Sequence, residues 1–460
     1  MIAQPFVSPD DIRAMFCSAL SDMYKKEVPL YGDLIELVND VNSEIKKVKP
    51  DLWEIGDRLR VERHGAIRLG TSEELSTISR MFKQMGMYAV GYYDLSTSGV
   101  PVHSTAFRPK TTSSLDKNPF RIFTSLLRTE LIPDLNLRNK VIEILNERDI
   151  FHPNVKELIL KSENQGGLNK IDSELLIEYS LETFKWHKSA LVDEETYNEM
   201  KKTHPLLADV AGFKGPHINH LTPRTLDIDA VQRMMAERGI PPKKVIEGPP
   251  VRECPILLRQ TSFQALTEPI NFAGSSPGET SQGLHRARFG EIESRGAALT
   301  PAGHELYQNL MKQAGSFTPT DNNEIWQIRL GKIFQSFPDT WEEIRKQNLA
   351  YFKYSLSSFA QSQLSSSSSS FIGKGLEELI KDGIINYTPI VYEDFLPASA
   401  AGIFQSNLGE HVKTTTSGLN AKEEMESHLN SKIQDYFELY NEIQQLSLDQ
   451  VKQQLIGCTI

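Results

Sequence analysis

Cysteine is scarce in this chain of 460 residues, which contains only Cys17, Cys254 and Cys458. Three widely separated thiols provide neither a disulfide framework nor the paired spacing of a structural zinc site. The N-terminus also lacks a charged segment followed by an apolar one, so it predicts no secretion signal. These absences indicate a protein of the reducing cytoplasm.

Long apolar runs and basic clusters are missing as well. No stretch approaches the roughly 18 consecutive apolar residues that a transmembrane helix needs. The formal net charge is −10, and an acidic chain without a basic block is a poor match for nucleic acid or an acidic membrane surface. Short motifs for nucleotide binding, serine hydrolysis and zinc proteolysis are also absent. We therefore expect neither nucleic acid nor membrane as a partner.

The spacing of the apolar residues predicts an α+β protein with two similar modules. Each module has the order β-α-β-β-β, and we expect the two to form a cupped central sheet with added helices. The first module comprises strand 61–69, helix 71–85 and strands 88–93, 102–107 and 120–127; the second comprises strand 216–222, helix 227–238 and strands 244–247, 257–266 and 287–293.

The same pattern divides the chain into five segments. Long helices are predicted over 323–347 and over the tail, 421–454, and a loop over Ala273–Gly283 is a candidate lid. A run of six serines, Ser365–Ser370, is typical of a surface loop. The segments are N-terminal helices (1–50), the first module (51–130), a helical insertion (131–210), the second module (211–300), and C-terminal helices and strands that cover the site (301–460).

His64 and Arg68 lie on one face of the first predicted strand, because strand side chains alternate between faces. A buried arginine needs an anion to offset its desolvation. One interpretation is that His64 binds a metal and Arg68 binds a substrate carboxylate through two hydrogen bonds. The alternative is a half-exposed edge strand in which Arg68 pairs with a nearby acidic residue.

The second module offers two histidines, His217 and His220, that are three residues apart and so face opposite sides of a regular strand. We select His220 as the inward one because it lies deeper in the predicted strand. The alternative is that His220 is a core histidine bonded to the backbone.

Glu291 and Glu293 share a face of the last predicted strand. Two adjacent inward carboxylates repel each other, and a bound dication would relieve that repulsion; alternatively, both face solvent. With His64 and His220, either glutamate completes two imidazoles and one carboxylate. This is the ligand set of a non-haem iron(II) oxygenase, which leaves positions open for substrate and oxygen.

Four separated segments resemble the signature segments of the 2-oxoadipate dioxygenase/decarboxylase family, also called 2-hydroxyglutarate synthase. The resemblance extends over roughly residues 10 to 410, with the segments in the family's order. The family belongs to the vicinal oxygen chelate superfamily, whose fold agrees with the two modules predicted above. The four segments are Arg63–Thr71, Asn219–Arg224, Phe289–Glu293 and Asp394–Phe404.

The resemblance implies iron(II) as cofactor, with ligands at His64, His220 and Glu291. It implies that Arg68, Ala398 and Ser399 contact the substrate. Ala398 stands where the family pattern has valine, which enlarges the pocket slightly. The segment from Phe289 to Arg295 also resembles the last strand of hydroxyphenylpyruvate dioxygenase, in which the first glutamate is the ligand, and this favours Glu291 over Glu293.

The reaction implied by the resemblance converts 2-oxoadipate and O2 to 2-hydroxyglutarate and CO2, in the breakdown of lysine. The substrate is oxidatively decarboxylated and then hydroxylated within the same molecule, so the expected partners are a 2-oxo diacid and O2. Two rival hypotheses are a metal-dependent lyase, isomerase or hydrolase on the same fold, and a binding protein without metal.

Overall fold

The computed structural model describes residues 5–49, 58–274, 280–315, 317, 322–364, 374–396 and 421–455. Within these ranges the protein is a mixed α+β structure with a central sheet surrounded by helices. None of the helices in the described ranges combines the length and the apolar character needed to cross a membrane.

The elements are numbered in chain order. The helices are α1 (Pro9–Glu27), α2 (Pro29–Val48), α3 (Arg58–Val61), α4 (Ser72–Lys83), α5 (Thr112–Lys117), α6 (Leu135–Glu147), α7 (Pro153–Gln165), α8 (Lys170–Phe184), α9 (Glu194–Thr203), α10 (Pro205–Ala211), α11 (Ile228–Glu237), α12 (Pro301–Ala314), α13 (Asn323–Ile333), α14 (Trp341–Lys346), α15 (Ser358–Leu364), α16 (Leu376–Lys381), α17 (Ala421–Leu429) and α18 (Tyr436–Gln454). The strands are β1 (Arg63–Leu69), β2 (Tyr88–Asp94), β3 (Val102–Arg108), β4 (Arg121–Leu127), β5 (Leu221–Pro223), β6 (Leu258–Ser262), β7 (Thr267–Ala273), β8 (Thr280–Arg286), β9 (Glu291–Arg295), β10 (Phe352–Leu356) and β11 (Ile385–Pro389).

The elements predicted for the first module are confirmed, each to within about two residues. Strands β1 to β5 form one sheet in the order β2-β3-β4-β1-β5, in which β1 runs parallel to β4 and antiparallel to β5. Every residue of β1 is buried. It is therefore an interior strand, and the exposed edge considered for it from the sequence is wrong.

Helix α4 begins at the predicted position because Thr71 and Glu74 cap it reciprocally. The Thr71 hydroxyl accepts from the Glu74 N–H at 3.1 Å, and the Glu74 carboxylate accepts from the Thr71 N–H at 3.3 Å and from the Gly70 N–H at 2.7 Å. Arg148 donates to the same carboxylate at 2.7 Å. The cap thus ties the end of β1 to the helical insertion.

The second module is less regular than predicted. The strand expected over 216–222 is reduced to Leu221–Pro223, and the Ile218 N–H donates to the Phe184 carbonyl at the end of α8, at 3.0 Å, instead of to a strand. The strand expected over 244–247 is a single bridge from Glu247 to Gln260. The other two strands are shifted or shortened to β6 and β9, which pair antiparallel.

Strand β9 reaches the central sheet through its contact with the end of β5. A parallel bridge joins Arg224 to Glu293, and the Thr225 N–H donates to the Glu293 carbonyl at 2.7 Å. The segments predicted as two modules therefore meet where β1, β5 and β9 lie side by side.

The loop predicted over Ala273–Gly283 is wrong at both ends. Ala273 ends β7 and pairs with Thr280 at the start of β8, and residues 275–279 lie outside the described residues. Strand β7 has a weak sequence signal because most of its side chains are half-exposed or exposed. Gly283 leaves room for the Phe272 ring, which a β-carbon there would meet at 2.3 Å.

The long helices predicted near both ends have different outcomes. The N-terminal helices predicted within residues 1–50 are confirmed by α1 and α2.

The single helix expected over 323–347 is wrong. Helix α13 ends at Ile333, and Pro338 interrupts the segment before α14. The predicted tail helix is two helices, broken at Asn430, which has φ of 50°. The six serines lie outside the described residues.

Tyr24 on α1 connects the N-terminal helices to the second module. Its buried hydroxyl lies 2.9 Å from the Asn219 carbonyl oxygen and 2.8 Å from that of Phe289, and donates toward both. Because these residues are neighbours of His220 and Glu291, α1 helps to hold the two segments at a constant separation.

Helix α18 covers the C-terminal part of the chain and is anchored by Tyr440. The Tyr440 hydroxyl donates to the Asp394 carboxylate at 2.5 Å and accepts from the Glu393 N–H at 2.7 Å. We expect Tyr440→Phe to lower the free energy of unfolding by about 1.5–3 kcal/mol, the usual contribution of a hydrogen bond to a charged group. Urea denaturation measures this.

The matched control is Tyr88→Phe, which removes a hydroxyl from a ring that is 38% exposed. It should change the free energy of unfolding by less than about 0.5 kcal/mol. Equal effects of the two substitutions would contradict the anchoring role of Tyr440.

Candidate metal centre

His64, His220 and Glu291 come together at the junction of the two modules. Each offers a ligand atom, these atoms all lie within 4.8 Å of one another, and all three side chains are buried. His64 is on β1, His220 immediately precedes β5, and Glu291 begins β9. The fold thus brings together three predicted ligands of which the first and last are 227 positions apart in the chain.

Hydrogen bonding prepares His220 to bind a metal through Nε2. The Thr222 hydroxyl donates its single hydrogen to Glu291 Oε2 at 2.9 Å, so it must accept the hydrogen bond from His220 Nδ1, also at 2.9 Å. The lone pair of the imidazole is then on Nε2, which is buried and has no hydrogen-bond partner among the described residues. An orphaned buried nitrogen is explained if a metal ion binds there.

His64 lies between the two glutamates. Its Nε2 is 3.1 Å from Glu291 Oε2, and its Nδ1 is 3.1 Å from Glu293 Oε2. Both Glu293 oxygens also accept from Arg295, each at 2.8 Å. Glu293 therefore contacts Arg295 and the Nδ1 side of the His64 ring, whereas Glu291 lies close to both His64 and His220.

The charge states of His220 and Glu291 match those of metal ligands. Burial opposes protonation of His64, but Glu293 and Glu291 outweigh it and raise its pKa. Burial lowers the pKa of His220 to about 3, which keeps the ring neutral. Burial also opposes ionisation of Glu291, but the nearby His220 and His64 hold its pKa below the usual value. A neutral imidazole and an ionised carboxylate are the forms that bind a dication.

A buried ionic network lies beside the centre and was not anticipated from the sequence. Glu62 accepts from Arg121 at 2.9 Å and from Arg224 at 3.1 Å, and Arg58 donates to Glu393 at 2.8 Å. Burial disfavours the charged form of Glu62, but the arginines outweigh it and hold its pKa well below the usual range. In the sequence, the charged run from Arg60 to Arg63 is typical of a solvent-exposed segment. The ionic network is apparent only from the buried position of Glu62 next to β1.

Arg68 is buried and pairs with Asp209 of α10. The alternative predicted for Arg68 is therefore confirmed in one respect, its pairing with an acidic residue. Its other part, a half-exposed edge strand, is wrong. Asp209 was missed, although one charge within the apolar run Leu206 to Ala211 is an unusual feature that could have marked it.

His217 faces away from the metal centre, as expected from its spacing to His220. It forms a second buried cluster with Asp209 and His285, whose ligand atoms also lie within 4.8 Å of one another. His103 lies in neither cluster; its Nδ1 is 3.4 Å from the Tyr92 hydroxyl.

Two aromatic rings pack against the histidines of the candidate centre. The Phe395 ring lies 5.0 Å from that of His64, and the Phe289 ring lies 4.9 Å from that of His220. Ala398 and Ser399 lie outside the described residues, three and four positions after Phe395.

Comparison with known proteins covers nearly the whole chain. A family model described as 2-oxoadipate dioxygenase/decarboxylase matches residues 16–407. The chain is 52% identical to the 2-oxoadipate dioxygenase/decarboxylase of Escherichia coli (strain K12) over 447 residues, 96% of this chain and 98% of that protein. It is 49% identical to the protein of the same name from Pseudomonas putida over 466 residues, 99% of each.

A solved structure resembles this one equally broadly. The crystal structure of the hydroxyglutarate synthase from Pseudomonas putida in complex with 2-oxoadipate has a TM-score of 0.90 and 48% sequence identity. The match covers 98% of this chain and 100% of that one.

The ionic network gives a stability prediction. Glu62→Gln should lower the free energy of unfolding by about 3–5 kcal/mol, because it leaves buried arginines without their shared carboxylate. The contribution is present above the pKa of an unfolded glutamate and is lost as the pH falls toward the lowered folded value. Denaturant unfolding at neutral and acid pH measures both effects.

Glu130→Gln is the matched control, since Glu130 pairs with Arg128 at 2.7 Å at a position where its side chain is 52% exposed. It should cost less than about 1 kcal/mol. A Glu62→Gln protein as stable as this control would contradict the network's role.

Proposed function

The chain belongs to the 2-oxoadipate dioxygenase/decarboxylase family, and we propose that it converts 2-oxoadipate and O2 to 2-hydroxyglutarate and CO2. The observation that carries the proposal is the convergence of two buried imidazoles and one buried carboxylate at a single point. This set suits iron(II) in an oxygenase, because three protein ligands leave positions open for other molecules.

The division of the chain into two similar modules is part of the same proposal. We place a vicinal oxygen chelate module in residues 51–130 and a second in 211–300, flanked by the N-terminal helices, the insertion at 131–210 and the segment 301–460. The order β1-α4-β2-β3-β4 supports the first module. The order β5-α11-β6-β9, with the β7–β8 hairpin inserted, supports a modified second one.

His64, His220 and Glu291 would hold the metal, and Glu293 would orient His64. A carboxylate on the second nitrogen of a metal-bound imidazole fixes its ring and strengthens it as a ligand. Glu293 suits this task because Arg295 holds both of its oxygens. Iron(II) at this position would supply electrons for the activation of O2.

Arg68 would bind the far carboxylate of the diacid. It lies four residues after His64 on the same strand, roughly 13 Å along it at about 3.3 Å per residue, and its long side chain can lean back over part of that distance. Ala398 and Ser399 are further proposed substrate contacts, on the strength of the family pattern. The Phe395 and Phe289 rings would exclude water from the reacting end.

The overall reaction needs no second 2-oxo acid. The substrate loses its first carboxyl group as CO2, and the remaining five-carbon diacid gains one oxygen atom in its new carboxylate and one in its hydroxyl group. We place this reaction in the cytoplasm, in keeping with the free thiols of Cys17 and Cys254. The partners of the site are then the diacid and O2, without nucleic acid or membrane.

The ligand assignment predicts different results for the two neighbouring glutamates. Glu291→Ala should lose bound iron and oxygen uptake with 2-oxoadipate, as should His64→Ala and His220→Ala. Glu293→Gln should still bind iron, with affinity reduced about 10–100-fold, because it removes an orienting contact rather than a ligand. Iron analysis after anaerobic loading and an oxygen electrode provide the two measurements.

His103→Ala is the control for loss of a buried histidine and should keep both iron and turnover. The assignment is wrong if Glu293→Gln abolishes iron binding while Glu291→Ala keeps it. Iron binding without oxygen consumption would favour a lyase, isomerase or hydrolase, and absence of metal from all preparations would favour a binding protein.

The role of Arg68 predicts an effect that depends on the substrate. Arg68→Lys keeps the charge but loses the paired donors, so kcat/KM for 2-oxoadipate should fall by the equivalent of about 2–5 kcal/mol. The monoacid 2-oxohexanoate lacks the far carboxylate and should lose little further. Iron content should be unchanged. Equal losses on the two substrates would mean that Arg68 serves the 2-oxo acid end or the fold.

A further inference from the structure

Asp209 joins Arg68 to a buried chain of hydrogen-bonded groups that includes His285 and Tyr197. One Asp209 oxygen accepts from Arg68, and the other lies 3.0 Å from His285 Nε2. The other nitrogen of His285, Nδ1, is 2.7 Å from the Tyr197 hydroxyl. A single arrangement satisfies all of these contacts with a neutral imidazole: Tyr197 donates to Nδ1, and Nε2–H donates to Asp209.

His217 is the member of the cluster whose hydrogen bonds are unmet. Its Nε2 lies 3.3 Å from the same Asp209 oxygen that His285 contacts, yet neither of its nitrogens has a well-aligned hydrogen-bond partner among the described residues. The Trp186 and Phe213 rings lie 4.8 and 5.7 Å from its own. Burial lowers the pKa of His217, so the ring is neutral near pH 7.

The charged groups around His217 come from several elements. Asp209 on α10 favours its protonation, whereas Arg288, which precedes β9, opposes it. Arg288 is itself paired with Glu27 and Glu268, so it supplies no spare positive charge to this region. His285 on β8 and Tyr197 on α9 are the remaining titratable neighbours in the cluster.

The pair of Arg68 and Asp209 has no net charge, because the pKa of Asp209 is held well below its usual value despite burial, chiefly by Arg68. If a substrate carboxylate also binds Arg68, two buried carboxylates share one guanidinium. An uncompensated buried charge is costly, and a neutral imidazole in contact with one of the carboxylates can remove that cost by taking up a proton.

We propose that the far carboxylate of the diacid binds at Arg68 together with one proton taken from solvent, which His217 holds against Asp209. The inference rests on the proposed function, since it takes Arg68 as the carboxylate-binding residue. It makes recognition of a diacid, but not of a monoacid, dependent on proton uptake.

The cluster also has the donor types of a second metal site, and we favour the proton for two reasons. Arg68 already neutralises the Asp209 carboxylate, so a dication there would meet a fixed positive charge. His285 already uses both nitrogens in hydrogen bonds. A single protonated imidazole restores neutrality without displacing either contact.

Anaerobic titration calorimetry of the iron-loaded enzyme tests the proposal, because turnover needs O2. Binding of 2-oxoadipate and of 2-oxohexanoate is measured near pH 8 in phosphate and in Tris, whose heats of ionisation differ. We expect uptake of about one proton with the diacid, about none with the monoacid, and an affinity for the diacid that falls up to about tenfold per pH unit. Equal proton uptake with both ligands, or none with the diacid, overturns the proposal.

Two variants locate the proton. Asp209→Asn removes the competing carboxylate and should abolish uptake with the diacid; His217→Gln should abolish uptake and weaken diacid binding. His304→Gln, which alters another buried histidine far along the chain, should leave uptake unchanged. Two metal ions per chain, with one lost in His217→Gln, would assign the cluster to a cation and overturn the proposal.

The outcomes also separate this inference from the proposed function. A protein that binds neither iron nor either 2-oxo acid contradicts the proposed function. A protein that binds iron and both acids, but with equal proton uptake, contradicts only the proton-linked binding. The wild-type measurement decides this even if a variant fails to fold.

Discussion

The pairing of Glu293 with Arg295 is the interaction on which the centre of this protein depends. Both Glu293 oxygens accept from Arg295, and one of them also lies 3.1 Å from His64 Nδ1. Arg295 donates in addition to the backbone carbonyls of Tyr392 and Asp394. One buried ion pair thereby lies against the ring of a proposed metal ligand and ties β9 to the C-terminal part of the chain.

Strand β1 contributes one residue to each of two buried groups of polar side chains. His64 faces the proposed metal, and Arg68, on the same face of the strand, pairs with Asp209. The rise of the strand separates the two by roughly 13 Å. A diacid that binds iron at one end and Arg68 at the other would therefore be selected by its length as well as by its charge.

The first module could be predicted because it obeys local rules. Thr71 and Glu74, for example, form a capping box that marks the start of α4. The second module departs from prediction because long-range contacts hold it: Tyr24 binds the Asn219 and Phe289 carbonyls, and β9 joins β5 through isolated contacts. Such contacts replace the regular ladders that periodicity detects.

By itself, the sequence determined that His64 and Arg68 share one face of β1, because side chains alternate along a strand. The four signature segments determined the family. Only the tertiary structure distinguished the environments of Glu291 and Glu293, which share a face and a residue type. The difference arises from Arg295, which lies near both glutamates in sequence but donates to the carboxylate of Glu293. The direction of a side chain within a packed core is set by its neighbours in space, and no local sequence pattern encodes them.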